Sequence, residues 1–250
     1  MLENPFIWHT HVTTYDAGPD QTLRLSSLLK LQQEVGEMQL STVNAGYNEL
    51  LKKGMAFVLT RTSVEIYRAP VLGEKIAVKT WPRGTKGAQF FRCYEIRSEA
   101  DGALLTSCVS AFALVDPTDH KILRPQVFED TFRLGFDLDL QTTCPDPKKW
   151  SPAMPPAAAG RHLIRYSQTD WNRHLNNTVY ADLLTDFMPG GADGKRFHGF
   201  SIEFLREALP GEALEMSAVD IPAENGTETV VIGTHERGEC FRARALWTAK

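Results

Sequence analysis

Cysteine is scarce in this chain: four in 250 residues, Cys93, Cys108, Cys144 and Cys240. They show no CxxC spacing and no Cys/His cluster, which excludes a disulfide framework and a zinc site and leaves reduced thiols of a cytoplasmic protein. An excess of positive charge is also missing. The formal net charge is −4, which argues against a nucleic-acid protein, because phosphate contacts need a basic surface. No apolar run approaches the roughly 18 residues of a membrane helix. The opening MLENPFIWHTHV lacks a basic start and a long apolar segment, so no signal peptide is expected. What is present is ordinary for a globular protein: 42% hydrophobic residues and enough length for one large domain or two small ones with a substantial core.

The chain repeats itself. Val64–Glu74 aligns without a gap to Ile202–Glu212, with Glu65 on Glu203, Arg68 on Arg206, Gly73 on Gly211 and Glu74 on Glu212 (206 − 68 = 138). Each copy reads as a strand, a Pro/Gly turn and a second strand. A helical stripe precedes each: Leu28, Leu31, Val35 and Met38 in the first half, and Tyr180, Leu183, Leu184 and Phe187 in the second, the latter stopped by Pro189-Gly190-Gly191. β-rich runs follow, at 76–81, 89–96 and 104–115, then at 213–219, 229–235 and 240–248. Both halves therefore predict a strand, a helix and four antiparallel strands, an α+β architecture with a long helix on a curled sheet, made twice. Residues 1–116 and 161–250 form the two domains. Between them, 117–160 is rich in Pro and acidic residues and reads as a linker, pinned to the surface by Phe128, Phe132, Leu134 and Phe136.

The chemistry concentrates in Asp170-Trp171-Asn172-Arg173-His174-Leu175-Asn176-Asn177, immediately before the second helical stripe. A carboxylate, an amide and an imidazole stand two residues apart at a predicted helix N-terminus, where free backbone N–H groups and partial positive charge can stabilise an oxyanion. That combination points to chemistry on a carbonyl. Setting Asp16 against Asp170 places Gly18 opposite Asn172 and Asp20 opposite His174. The first half thus lacks the amide and the imidazole and is expected to support a binding chamber.

These residues resemble a known family. Asp170-x-Asn172-x-His174-x-Asn176-Asn177-x-x-Tyr180 is similar to the signature of the acyl-acyl-carrier-protein thioesterases of plants and bacteria, and Glu203-Phe204-Leu205-Arg206-Glu207-Ala208 resembles their second motif. The resemblance implies two tandem hot-dog domains, hydrolysis of a fatty acyl thioester on acyl carrier protein, and no cofactor or metal. It also implies catalytic roles for Asp170, Asn172, His174 and Glu207. The sequence departs from the plant pattern at Ala208, which takes the place of a cysteine, at Leu183 in place of a tryptophan, and at Asp182 in place of a small residue. Alanine supplies no thiolate, so a cysteine-nucleophile scheme fails here and water attack remains.

In that scheme Glu207, assisted by His174, deprotonates a water, and backbone N–H groups near Asn176 and Asn177 complete the oxyanion site. Asn172 either donates to the thioester carbonyl or holds the tautomer of His174. Asp170 either orients Asn172 or is itself base or nucleophile. Each residue also has a structural reading: Asp170, Asn176 and Asn177 as helix caps, His174 as a hydrogen-bonded structural histidine, Glu207 as half of a surface ion pair. Arg68 and Arg206 read as strand-end anchors paired with Glu74 or Glu212.

The resemblance further implies that the first half encloses the acyl chain, making Leu28, Leu31, Val35 and Met38 candidate neighbours of the tunnel, with core packing the competing reading. Carrier proteins are acidic, so Arg161, Arg165, Arg173, Lys195 and Arg196 are candidate docking residues. Other functions compatible with the sequence are an acyl-CoA thioesterase, a non-catalytic acyl-binding hot-dog protein and, less directly, a dehydratase of the same fold. A monomer and a homodimer are both compatible with two domains in one chain.

Overall fold

The computed structural model describes residues 3–134 and 140–250; of the apolar residues expected to pin the linker, Phe136 lies outside them. The first half runs β1 (Phe6–His11), α1 (Leu25–Ser41), α2 (Tyr47–Lys52), β2 (Ala56–Ile66), β3 (Lys75–Lys86), β4 (Gln89–Ser98) and β5 (Leu104–Val115). After α3 (Pro125–Phe132), the second half runs β6 (Ala157–Leu163), α4 (Val179–Phe187), β7 (Lys195–Phe204), β8 (Ala213–Ala223), β9 (Gly226–His235) and β10 (Gly238–Ala249). All ten strands join one antiparallel sheet in the order β1-β3-β4-β5-β2-β7-β10-β9-β8-β6. Reading outward from the central β2–β7 pair gives the same strand order twice, so the sequence repeat is a repeat of topology: two hot-dog domains sharing one sheet.

The junction register follows from the repeat. On β2 and β7, Arg61 faces Glu203, Ser63 faces Ser201 and Glu65 faces Gly199. Ser63 and Ser201 are themselves repeat-equivalent, which puts the approximate two-fold axis between them.

Side chains alternate across a strand, and both faces of the first-half sheet are covered. On one face α1 packs against β1 and β3, α4 packs against β8, β9 and β10, and the two helices touch. A single core containing Leu28, Val35, Ile76, Ile96, Leu183, Leu184, Ile202 and Phe241 runs through both halves. On the other face, Trp81, Phe91, Cys93, Val109 and Ala111 pack with Cys144 of the connecting segment. Coverage on both sides explains why β4 and β5 are buried almost end to end.

The connecting segment is bound by polar contacts as well as by its apolar residues. Phe128 on α3 is buried among Leu50, Met55, Phe90 and Leu114, with Phe132 and Leu134 packed alongside. Further along, the Trp150 N–H donates to Glu203 Oε1 (3.1 Å), Arg242 Nη1 donates to the Trp150 carbonyl (2.6 Å) and Arg61 Nε donates to the Pro147 carbonyl (3.3 Å). β6 begins at Ala157, inside the stretch expected to be linker, and pairs with β8 at the far edge of the sheet.

Candidate active site

The Asp170 run forms a tight turn that its own residues build. The Asp170 N–H donates to the His174 carbonyl (2.9 Å) and the Arg173 N–H to the Asp170 carbonyl (3.0 Å), with Arg173 in the left-handed region at φ 63°. Asp170 Oδ1 accepts from the backbone N–H groups of Asn172 (2.8 Å) and His174 (3.2 Å). A short carboxylate that satisfies two donors across such a turn relieves backbone that would otherwise be left open. The turn is then tied to the second motif, because the Leu175 N–H donates to the Ala208 carbonyl (2.7 Å).

This tie brings His174 to Glu207. Their Nε2 and Oε2 atoms lie 3.4 Å apart, with side chains 37% and 44% exposed, so water reaches both. Glu207 is positioned from behind: its carbonyl accepts from His235 Nε2 (3.2 Å) and Arg237 Nη2 (3.1 Å), and Arg237 also pairs with Glu212 (2.9 Å). Arg206 turns away and donates to the Glu239 carbonyl (3.0 Å). The expected Arg68–Glu74 pair forms at 2.5 Å, while Glu212 takes Arg237 in place of Arg206.

Asn172 is oriented by the other domain. Tyr47 of α2 donates its hydroxyl to Asn172 Oδ1, and its ring stacks on Trp171 with centroids 4.5 Å apart. The amide Nδ2 of Asn172 is thereby left as a donor. Partial burial raises the Tyr47 pKa, with the hydrogen bond to Asn172 opposing the shift, so the phenol remains a donor at neutral pH. Nothing in the sequence separated Tyr47 from any other helical aromatic; the signal arises only when α2 meets the second domain.

The oxyanion donors need one correction. The Asn176 N–H is not free, since it donates to the Gln168 carbonyl (3.0 Å). Its side chain holds the helix start, with Oδ1 accepting from the Thr178 N–H and hydroxyl (2.9 Å each). The Asn177 N–H has no acceptor among the described residues.

A cavity of about 500 Å³ opens beside this turn. On the side of the turn it is lined by Tyr47, Asn172 and Trp171, the last 68% exposed. Inside, Leu29, Gln32, Gly36 and Leu40 of α1 face Phe57, Phe90 and Phe112 of the first-half sheet. His174 and Glu207 are not among the lining residues; His174 belongs to the turn whose Asp170, Asn172, Asn176 and Asn177 do line it, and Glu207 reaches His174 from the second motif. The acyl chamber was expected along Leu28, Leu31, Val35 and Met38, and none of these four lines the cavity. Leu28 and Val35 are in the core, with Leu31 packed against it. Apolar periodicity marks the face of α1 that the core covers, whereas the cavity uses the neighbouring face, where Gly36 makes room.

The first half preserves the turn without its chemistry. The bridge Ala17–Leu23 matches Thr169–Leu175, the Gly18 N–H to Thr22 carbonyl bond (2.8 Å) matches Asp170 to His174, and Leu23 N–H to Pro70 carbonyl (2.8 Å) matches Leu175 to Ala208. Gln21 repeats the left-handed conformation of Arg173, at φ 61°. These matches shift the expected alignment by two residues: Gly18, Asp20 and Thr22 stand where Asp170, Asn172 and His174 stand. Through the 138-residue repeat, Ala69 stands where Glu207 does. The first copy has no carboxylate at the Asp170 position, no amide at the Asn172 position, no imidazole and no glutamate; Asp20, at the Asn172 position, accepts from the Thr22 N–H (3.0 Å) in its place.

The chain matches the acyl-ACP thioesterase N-terminal domain over residues 4–132 and the C-terminal domain over residues 158–248. It belongs to the acyl-ACP thioesterase family. Relatives include the chloroplastic dodecanoyl-[acyl-carrier-protein] hydrolases of Cinnamomum camphora and Umbellularia californica, 21% and 22% identical, each alignment covering 96% of this chain and 66% of the relative. The chain thus spans slightly under two thirds of their length. Among solved structures, an acyl-ACP thioesterase from Bacteroides thetaiotaomicron superposes with a TM-score of 0.83 at 18% identity, covering 96% of both chains. A 12:0-ACP thioesterase from Umbellularia californica superposes at 0.81 and 20%, covering 98% of both. These likenesses establish the fold.

Within this family, the position of Ala208 matters. Ala208 is fully buried and its carbonyl is engaged by Leu175. No other cysteine takes over. All four are free and buried, and Cys240, which lies nearest the motif, aims its thiol at the Arg206 carbonyl (3.1 Å). Burial raises the Cys240 pKa, pushes Cys144 to about 11 and Cys93 to about 12, and raises Cys108 as well.

The candidate docking cations divide. Arg165, Arg173 and Arg196 are exposed, and Arg161 is exposed but paired with Glu215 (3.3 Å). Lys195 is buried: its ammonium donates to the Pro189 carbonyl (2.6 Å) and lies 4.4 Å from the centre of the Trp247 ring. It closes the strand after the helix stop and does not face a partner.

Proposed function

We propose that this chain hydrolyses the thioester of fatty acyl-acyl carrier protein, releasing the free fatty acid and ending chain elongation. One observation carries the reading: an imidazole and a carboxylate, 3.4 Å apart and open to water, meet at the turn that lines an internal cavity at the start of α4. The acyl chain enters the cavity, its thioester lies at Asn172, and the carrier's pantetheine arm leads out past Trp171. Glu207, with His174, takes a proton from water as it attacks the carbonyl. Asn172 Nδ2 and the Asn177 N–H stabilise the oxyanion. Collapse of the tetrahedral intermediate expels the pantetheine thiolate, which recovers the proton from the His174–Glu207 pair. Asp170, with Oδ1 occupied by two backbone donors, acts by holding the turn.

The acidic carrier docks at the exposed cations beside the turn, Arg173 and Arg165 foremost, in the cytoplasm where carrier-bound synthesis takes place. The β2–β7 pair completes the two-domain unit within one chain, so the site needs no residue from a second copy, and monomer and homodimer are equally competent. The decisive experiment is thiol release from acyl-carrier and acyl-CoA thioesters matched in chain length. Higher kcat/KM on the carrier substrates is expected. Preference for CoA would make this an acyl-CoA thioesterase, and no release from either would leave an acyl-binding protein.

A further inference from the structure

The inner wall of the cavity is polar in a way that an alkyl chain does not need. Arg92 and Tyr94, two residues apart on β4, share the face that looks toward α1. Both line the cavity with Gln32 and Gly36 of α1. Arg92 is 9% exposed. Its Nη1 donates to Gln39 Oε1 and to Thr80 Oγ1 (3.1 Å), while Nη2 and Nε have no acceptor among the described residues, and no carboxylate forms an ion pair with it there. Tyr94, 4% exposed, has no partner for its hydroxyl among the described residues. Gln32 is 3% exposed; its Oε1 accepts from the Cys108 thiol (3.3 Å), and its buried Nε2 is unpartnered. Gly36 roofs this group: a Cβ there would stand 3.4 Å from the Tyr94 hydroxyl and 3.7 Å from Arg92 Cδ.

Three side chains therefore converge on one stretch of cavity wall with hydrogen-bond donors and no acceptor. Buried donors are almost always satisfied, and a guanidinium without a counter-charge is the most expensive of them to enclose. Burial lowers the Arg92 pKa accordingly. Glu34, Glu37 and Asp170 line the same cavity, so with Arg92 its formal charge is −2 (1 − 3 = −2) and an anionic group on the chain would be repelled; Glu37 is engaged elsewhere, accepting from the Tyr47 N–H (2.9 Å).

We infer that this wall recognises a neutral oxygen on the acyl chain, so that the preferred substrate is a hydroxy- or oxo-acyl thioester rather than a plain alkyl one. The inference rests on the hydrolase reading and names the substrate class of that same site. A site built to hydrogen-bond an oxygen rejects the analogue that lacks it, because its own donors then stay unpaired.

The test compares carrier thioesters of one chain length bearing no substituent, a 3-hydroxyl, a 3-oxo group or a terminal hydroxyl. At least one oxygenated chain is expected to exceed the plain chain in kcat/KM by about tenfold or more. Gln32→Leu and Tyr94→Phe, each folded by circular dichroism, should bring the ratio of oxygenated to plain chain toward one. The inference is overturned if the plain chain is best throughout, or if the preference survives both substitutions. Calorimetric binding of free hydroxy fatty acids against plain ones tests the same wall even if no thioester is cleaved. A tighter hydroxy acid there would sustain the wall's role while the hydrolase reading failed, and equal affinities would overturn it.

Discussion

Ser63 and Ser201 face each other across the centre of the sheet with their hydroxyls 3.4 Å apart, and each is the other's counterpart in the sequence repeat. The contact lies on the axis relating the two domains, so the strands around it have little freedom to change. Opposite Glu65, the position of Gly199 shows the constraint: a Cβ there would fall 2.6 Å from the Val64 carbonyl oxygen. Gly199→Ala should lower stability by about 1–3 kcal/mol by forcing the junction strands apart. Denaturant unfolding measures this, and an unchanged midpoint would contradict the packing described.

Glu207→Gln and His174→Ala each remove one half of the exposed pair while leaving the turn's backbone bonds in place. If the pair moves the proton of the attacking water, kcat should fall by about 10²-fold or more with KM little altered. Steady-state kinetics on one acyl-carrier substrate decides it; near wild-type turnover in either variant removes that residue from the chemistry.

Asp170 gives a sharper test because its two roles respond differently to one atom. Asn at this position keeps an Oδ1 acceptor for the N–H groups of Asn172 and His174, so a positioning role predicts that Asp170→Asn retains most activity, losing less than about tenfold. Asp170→Ala opens the turn and should cost both activity and about 1 kcal/mol of stability. A loss in Asp170→Asn as deep as in Glu207→Gln would assign the carboxylate to the reaction itself.

Tyr47→Phe removes the donor that orients Asn172 but retains the ring stacked on Trp171. The expected result is a fall in kcat of about tenfold at nearly constant KM. In an Asn172→Ala background the same change should have little further effect, since the two residues act through one hydrogen bond. Independent, additive losses would show that Tyr47 does not work through Asn172.

Thiol reagents distinguish water attack from cysteine chemistry. With Cys144 near pKa 11 and Cys93 near 12, their thiolate fractions at pH 8 are on the order of one in a thousand or less, and Cys108 and Cys240 are likewise buried and shifted upward. Treatment with iodoacetamide at pH 8 should leave turnover intact over the time in which a free thiol is fully alkylated. Inactivation that substrate protects against would reopen a cysteine mechanism.

The sequence by itself determined the duplication and the location of the chemistry. Both are written locally: a strand, a Pro/Gly turn and a helical stripe need only neighbouring residues, and the backbone from Asp170 to Asn176 is held by bonds to groups at most eight residues away, with one tie from Leu175 to Ala208. Tertiary structure decided the rest. It set the two-residue shift that matches Gly18 to Asp170, because backbone bonds and not side-chain similarity define that turn. It turned the face of α1 bearing Gln32 and Gly36 toward the cavity while Leu28 and Val35 went to the core. It buried Lys195 over Trp247, occupied the Asn176 N–H, and brought Tyr47 from one domain onto Asn172 of the other. A one-dimensional pattern records which residues avoid water. Which of them face an empty chamber, and which donors remain unpaired there, depends on elements far apart in the chain meeting in space.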